Sequence, residues 1–102
     1  MAIYWILDEY GKPKVVEDVL EWARWFEACD RHIRQDEIDG VQVSTVFLGI
    51  DHSFNSGTPI LYETMIFGGE YDEWQRRYCT EEEATAGHIE ACRMVREGGA
   101  AI

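Results

Sequence analysis

Basic residues are scarce in this chain. Nine Lys and Arg stand against twenty Asp and Glu, a net charge of -11, and a field of that sign repels phosphate backbones and anionic lipid headgroups. Direct binding to nucleic acid or to a membrane surface is therefore not expected, and basic partners are favoured. The plainer reading of the same carboxylates is that they solvate exposed helix faces. Cysteine is sparse and unpaired in spacing. Cys29, Cys79 and Cys92 form no C-x-x-C motif, which suggests buried thiols rather than a disulfide framework or a zinc site. No apolar run approaches the length needed to cross a bilayer. The opening MAIYWILDEY lacks the basic segment and small-residue cleavage site of a secretory signal, so the cytoplasm is the expected compartment. Also missing are a Walker loop, a dinucleotide fingerprint, a G-x-S-x-G elbow, and H-x-x-x-H or H-E-x-x-H metal spacings.

What is present is enough for a core. The chain has 102 residues, 46% apolar and 13% aromatic, which is too hydrophobic for disorder and suits one globular domain over residues 1–102. Ala2 to Leu7 (AIYWIL) reads as a first strand. A turn at Glu9-Tyr10-Gly11-Lys12 and a short return through Lys14 to Val16 follow it. From Asp18, a plausible N-cap with Glu21 three residues on, Val19, Trp22, Ala23, Phe26 and Cys29 recur at helical spacing, predicting an amphipathic helix to Asp30–His32. Its aromatic stripe of Trp22, Trp25 and Phe26 reads as a core face.

Asp39-Gly40 between two extended runs predicts a type I′ hairpin, because both central positions of that turn need positive φ. Counting outward pairs Ile38 with Val41, Asp36 with Val43, Arg34 with Thr45 and His32 with Phe47, and puts Glu37, Gln42, Gln35 and Ser44 on the solvent face. The charged IRQDEI run suits a sheet edge. A loop over 49–59, a strand from Ile60 to Phe67 closed by Gly68-Gly69, and a short Gln75–Cys79 strand come next. Thr80 with Glu83 then caps a second helix. In that helix His88, Ile89, Cys92 and Val95 share a face, and Gly98-Gly99 stops it before an Ala100–Ile102 tail. The expected fold is α+β: a single antiparallel sheet of about four or five strands with two amphipathic helices packed on one face.

Three residues invite a chemical reading. Asp51 and His52 in the long loop, with Glu63 on the following strand, contain the groups of an acid–base site. Neighbours in extended chain point apart, however, and Asp51 can bond loop amides as an Asx turn instead. Glu63 is costly if its face is buried, unless Arg34, Arg76, Arg77 or His52 pairs with it. It is simply exposed if Tyr62, Thr64 and Ile66 are the buried set. For a metal, Asp51, His52, Glu63 and His88 offer ligands but no rigid spacing, and no metal or cofactor is expected. His88 reads as a helix histidine satisfied locally.

The stretches LEWARWFEACDRHI, VSTVFLGIDHSF, PILYETMIFGG and RYCTEEEATAGH resemble a group of small proteins encoded by phages and prophages. The resemblance spans most of the chain and implies a phage origin and action inside a bacterium. It brings no activity and no catalytic residues with it. Together with the acidity it leads to the expectation of a non-enzymatic, counter-defence (anti-CRISPR-like) protein that binds a basic surface on a host nucleic-acid-handling or defence complex. The expected contact groups are Asp36, Glu37, Asp51, His52, Glu70, Asp72, Glu73 and Trp74. The alternative is a small-molecule or nucleotide-signal binder, with Trp25, Arg34, His52, Tyr62 and Glu63 around a pocket at a dimer edge. A hydrolase using His52 with Asp51 or Glu63 ranks last, and a homodimer is left open.

Overall fold

The computed structural model describes residues 3–53 and 57–98. Its elements are β1 (Tyr4–Leu7), β2 (Pro13–Val16), α1 (Val19–Ala28), β3 (His32–Ile38), β4 (Val41–Phe47), β5 (Tyr62–Phe67), β6 (Gln75–Tyr78) and α2 (Glu81–Gly98). The α+β class is as expected. The expected strand start at residue 2, the loop positions 54–56 and the helix stop and tail at 99–102 lie outside the described residues.

The single sheet is corrected. β1 and β2 pair only with each other, and β3-β4-β5-β6 form a separate four-stranded sheet, antiparallel throughout. Gly49 takes a φ of 77°, which ends β4. The chain beyond it meets β1 through one isolated bridge, Tyr4 to Ile50. Each sheet has its own helix, so the expectation of two helices on one face of one sheet is corrected too: α1 leans on β1 and β2, and α2 crosses β3 to β6. The two units meet where Trp25 stands edge-on to Phe47, with centroids 5.8 Å apart.

Local chemistry explains the element ends. The Asp18 carboxylate accepts from the Leu20 amide at 2.9 Å, an N-cap of the kind whose loss typically costs about 1 kcal/mol. α1 stops at Ala28, two residues short of the expected end. Asp30 takes the His32 amide at 3.0 Å and the His32 ring at 2.7 Å, which starts β3 instead. No α1 residue is fully buried, and Cys29 is exposed rather than a core thiol. The α2 capping box forms in both directions: Glu83 accepts from the Cys79 and Thr80 amides, and Thr80 Oγ1 accepts from the Glu83 amide.

The Asp39-Gly40 turn has positive φ at both residues, 50° and 83°. It fixes the expected register from Ile38–Val41 to Arg34–Thr45. The expected His32–Phe47 pair is corrected to His32–Val46, because a bulge between His32 and Arg34 adds a residue on the edge strand. β3 and β6 are the sheet edges, and β4 and β5 are central. Val43, Thr45, Phe47, Tyr62, Thr64, Ile66 and Tyr78 point to the covered face and are buried. From α2 they meet Ala84, Gly87, His88, Ala91 and Cys92. Ile89, expected on that face, is instead 56% exposed. At Gly87 the helix is held so close to the sheet that a methyl group would overlap the Tyr78 ring and hydroxyl.

Candidate functional site

The long loop is organised by Asp51. Its Oδ1 accepts from the Ser53 amide at 2.8 Å and from the Ile60 amide at 3.0 Å, which clamps the two ends of the loop together. The His52 amide donates to the Ile60 carbonyl. This is the Asx-type use of the carboxylate, and the Asp51 oxygen is directed to backbone donors. Glu63 lies on the uncovered face of β5 because Tyr62, Thr64 and Ile66 take the covered one. There it accepts from Arg77 Nε at 2.9 Å, across the β5–β6 pair. Its side chain is only 13% exposed. Glu63 is therefore a largely screened carboxylate with a cation beside it, and its partner is Arg77 on the neighbouring strand.

Burial works to raise the Asp51 carboxyl, and hydrogen bonds from Ser53 and Ile60 outweigh it, leaving the group below its ordinary 3.8. A carboxylate held down in this way contributes stability that is complete above its unfolded value and is lost as pH falls through the lower, folded one. Urea midpoints at about pH 7 and pH 3 should show the wild type losing more stability on acidification than Asp51→Asn. Equal losses would mean that the charge has no part in the clamp.

The groups considered for the small-molecule alternative are not gathered into one site. Tyr62 is 1% exposed under α2, while its neighbour Glu63 faces the opposite side of β5. Trp25 is held against Phe47, and Arg34 lies exposed on edge strand β3. Burial, with Glu81 and Glu82 nearby, pushes the Tyr62 phenol up to about 12.

His88 has its nitrogens satisfied by distant strands, correcting the expectation of local partners. Nδ1 lies 2.7 Å from Thr45 Oγ1, which lies 2.5 Å from Thr64 Oγ1, while Nε2 lies 2.7 Å from Asp36 Oδ2. Because a carboxylate only accepts, Nε2–H donates to Asp36, Nδ1 accepts from the Thr45 hydroxyl, and Thr45 accepts from Thr64. The hydrogen bond from His88 holds the Asp36 carboxyl below its ordinary value. Cys92 Sγ stands 3.8 Å from the same Asp36 oxygen, and burial raises this thiol. An Asp–His–Thr order resembles a hydrolytic triad, but Thr45 is completely buried, so no substrate carbonyl reaches its oxygen. The chain ties β3, β4, β5 and α2 together. Helical periodicity alone did not reveal it, because its partners are 43 and 52 residues away; the sequence signal was Thr45 and Thr64 at inward positions of adjacent strands.

Four of the expected acids, Glu37, Glu70, Asp72 and Glu73, lie toward the end of the sheet that carries the β3–β4 and β5–β6 turns. A cleft of about 400 Å³ opens there, lined by apolar Ile38, Val41, Tyr71 and Val95, by the Asp39 and Glu70 carboxylates, and by Arg96 from the last turn of α2. Asp39, Glu70, Glu37 and Glu73 are exposed. Two of the expected contact groups have structural work in the same turn: Asp72 accepts from the Gly68 amide at 2.7 Å, and Trp74 packs against the Val43–Ile66 cluster. Asp36 is half-exposed and engaged with His88, and Asp51 and His52 sit in the loop beyond β4, at the other end of that strand. Asp39 was not singled out in the sequence because its turn role accounted for it. Among the described residues no helix is long and apolar enough to cross a membrane. Comparison of the chain with protein-family models, curated proteins and solved structures finds no match.

Proposed function

We propose that the protein acts without chemistry, by docking its acidic sheet end on a basic surface of another protein. The partner class is a host nucleic-acid-handling or defence complex whose Lys and Arg side chains otherwise hold DNA or RNA. The observation that carries this reading is the cleft between the two turns: an apolar floor with the Asp39 and Glu70 carboxylates at its lining. A lysine or arginine has the complementary build, an aliphatic stem for Ile38, Val41 and Val95 and a cation for the two carboxylates. Glu37 and Glu73 extend the negative surface around the cleft, while Arg96 opposes it and sets a limit on how much cation the cleft holds. The net charge of -11 steers a basic partner toward the whole molecule.

The test is binding of a fluorescent Lys- and Arg-rich peptide, followed by anisotropy at two salt concentrations. Wild-type binding should weaken steeply as salt rises from about 50 to 200 mM. The double reversal Asp39→Lys with Glu70→Lys should weaken it by at least about tenfold at the lower salt. An unchanged affinity in the double variant, or binding indifferent to salt, would remove this surface as the docking site.

A further inference from the structure

The side chains around His88 suggest a role that the docking surface does not use. His88 and Cys92 are one helical turn apart on the buried face of α2, and Asp36 faces them from β3. Their ligand atoms, Nε2, Sγ and a carboxylate oxygen, all lie within 4.8 Å of one another. We propose that Asp36, His88 and Cys92 form a three-ligand site for a zinc-type divalent transition-metal ion, with its fourth position open to solvent.

Geometry and donor chemistry both support the assignment. Metal bonds of about 2.0 Å to nitrogen and oxygen and 2.3 Å to sulfur place tetrahedral ligand atoms roughly 3.3–3.6 Å apart. Cys92 Sγ already stands 3.8 Å from Asp36 Oδ2. The His88–Asp36 separation of 2.7 Å must widen by about half an ångström, as the shared proton gives way to the larger ion. Asp36 permits this, since its side chain is 48% exposed while His88 is 1% exposed. The same exposure leaves an entry path and room for a water ligand. Thr45 fixes the imidazole from behind: with Nδ1–H donating to Thr45 Oγ1, and Thr45 donating on to Thr64, the Nε2 lone pair faces the ion. This is the outer hydrogen bond that orients metal-binding histidines.

The donor set of thiolate, imidazole and one carboxylate selects a borderline ion over calcium or magnesium, which need oxygen cages. Binding releases the Cys92 thiol proton to solvent as the sulfur–metal bond forms, and the imidazole proton passes from Nε2 to Nδ1 as the Thr45 and Thr64 hydroxyls turn about; the thiolate and carboxylate then balance the divalent charge. Arg34 acts on both Asp36 and Cys92, and Arg96 on Cys92, and both oppose the ion; the acidic field of the molecule favours it.

The experiment is titration of the reduced, chelator-stripped protein with Co²⁺, followed by displacement with Zn²⁺. The expected result is a one-to-one end point, a thiolate-to-cobalt charge-transfer band and four-coordinate visible bands, all abolished by Zn²⁺. Cys92→Ala should lose the charge-transfer band, and Asp36→Ala should weaken cobalt binding at least tenfold. A Cys29→Ala/Cys79→Ala double variant should keep both band and affinity. Circular dichroism of each variant checks that it is folded. Absence of a charge-transfer band, a band that survives Cys92→Ala, or one that vanishes with Cys29 and Cys79 would each overturn the site. None of these outcomes bears on peptide binding at the Asp39–Glu70 cleft.

Discussion

Gly87→Ala is expected to destabilise the fold by about 3 kcal/mol or more, although alanine is the better helix former by roughly 1 kcal/mol. The added methyl would overlap Tyr78 at its hydroxyl and at two ring carbons. Tyr78 is itself 7% exposed and part of the core cluster under α2. The helix must lift or the ring must leave its place, and either disturbs the cluster of Phe47, Leu61, Tyr62 and Ala84 behind it. Gly98→Ala is the control: its methyl would meet Tyr71 Cε2 at 2.5 Å, at the end of the helix, where a half-buried ring can shift, so the loss there should be smaller. Urea denaturation reads both, as a lower midpoint at unchanged slope. A Gly87→Ala protein as stable as wild type would mean that helix and sheet are not held this close.

His88→Ala is expected to cost about 3 kcal/mol or more, a large share of the 5–15 kcal/mol typical of a single domain. The substitution leaves a hole under α2 and removes one of the two hydrogen-bond partners of the Thr45 hydroxyl, whose residue is 0% exposed. Asp36→Ala should cost less, because that carboxylate is half in solvent before and after. If the two variants lost equal stability, the hydrogen bond with Asp36, and not the buried hydroxyl chain, would be the main contributor. A triple change of His88→Leu with Thr45→Val and Thr64→Val should recover part of the loss, since apolar groups of similar shape leave no orphaned donor.

These two sites mark where reading the sequence stops working. Asp-Gly at 39–40 has a conformational requirement that only a few residues meet, and from it the pairing of β3 with β4 follows by counting for five consecutive pairs. Thr80 and Glu83 likewise announce α2 by bonds that close within four residues. Asp51 was legible for the same reason, since a carboxylate in an irregular loop turns first to the nearest amides. The failures all involve distance along the chain. Nothing local in AIYWIL says whether β1 joins the main sheet or pairs with β2 alone; that is decided by Gly49 turning the chain at the end of β4. The bulge near Ile33 shifts one pair and leaves no mark in the alternation of apolar residues. Ile89 fits the helical period but faces out, because Gly87 and Ala91 are the residues small enough to meet the sheet. Asp36 reads from sequence as a contact group on an edge strand, whereas α2, about fifty residues later, supplies it with an imidazole at 2.7 Å. Within the candidate site, the acids were visible as composition, and the cleft that organises Asp39 and Glu70 required two turns distant in sequence to come side by side.

Residues 49–51 have a mechanical role as well as a topological one. Trp5 N–H and the Trp22 indole both donate to the Gly49 carbonyl, at 2.9 and 2.8 Å, and the Asp51 amide donates to the Ile3 carbonyl at 2.9 Å. Asp51 in turn grips Ser53 and Ile60, and Ile60 leads directly into β5. One hydrogen-bonded load path between the β1–β2–α1 unit and the larger sheet thus runs through three consecutive residues. A force acting on one unit is therefore shared between this short strut, the Arg31–Phe47 hydrogen bonds and the Trp25–Phe47 ring contact, and the length of the molecule, 50 Å against 29 and 21 Å across, gives it a long lever arm.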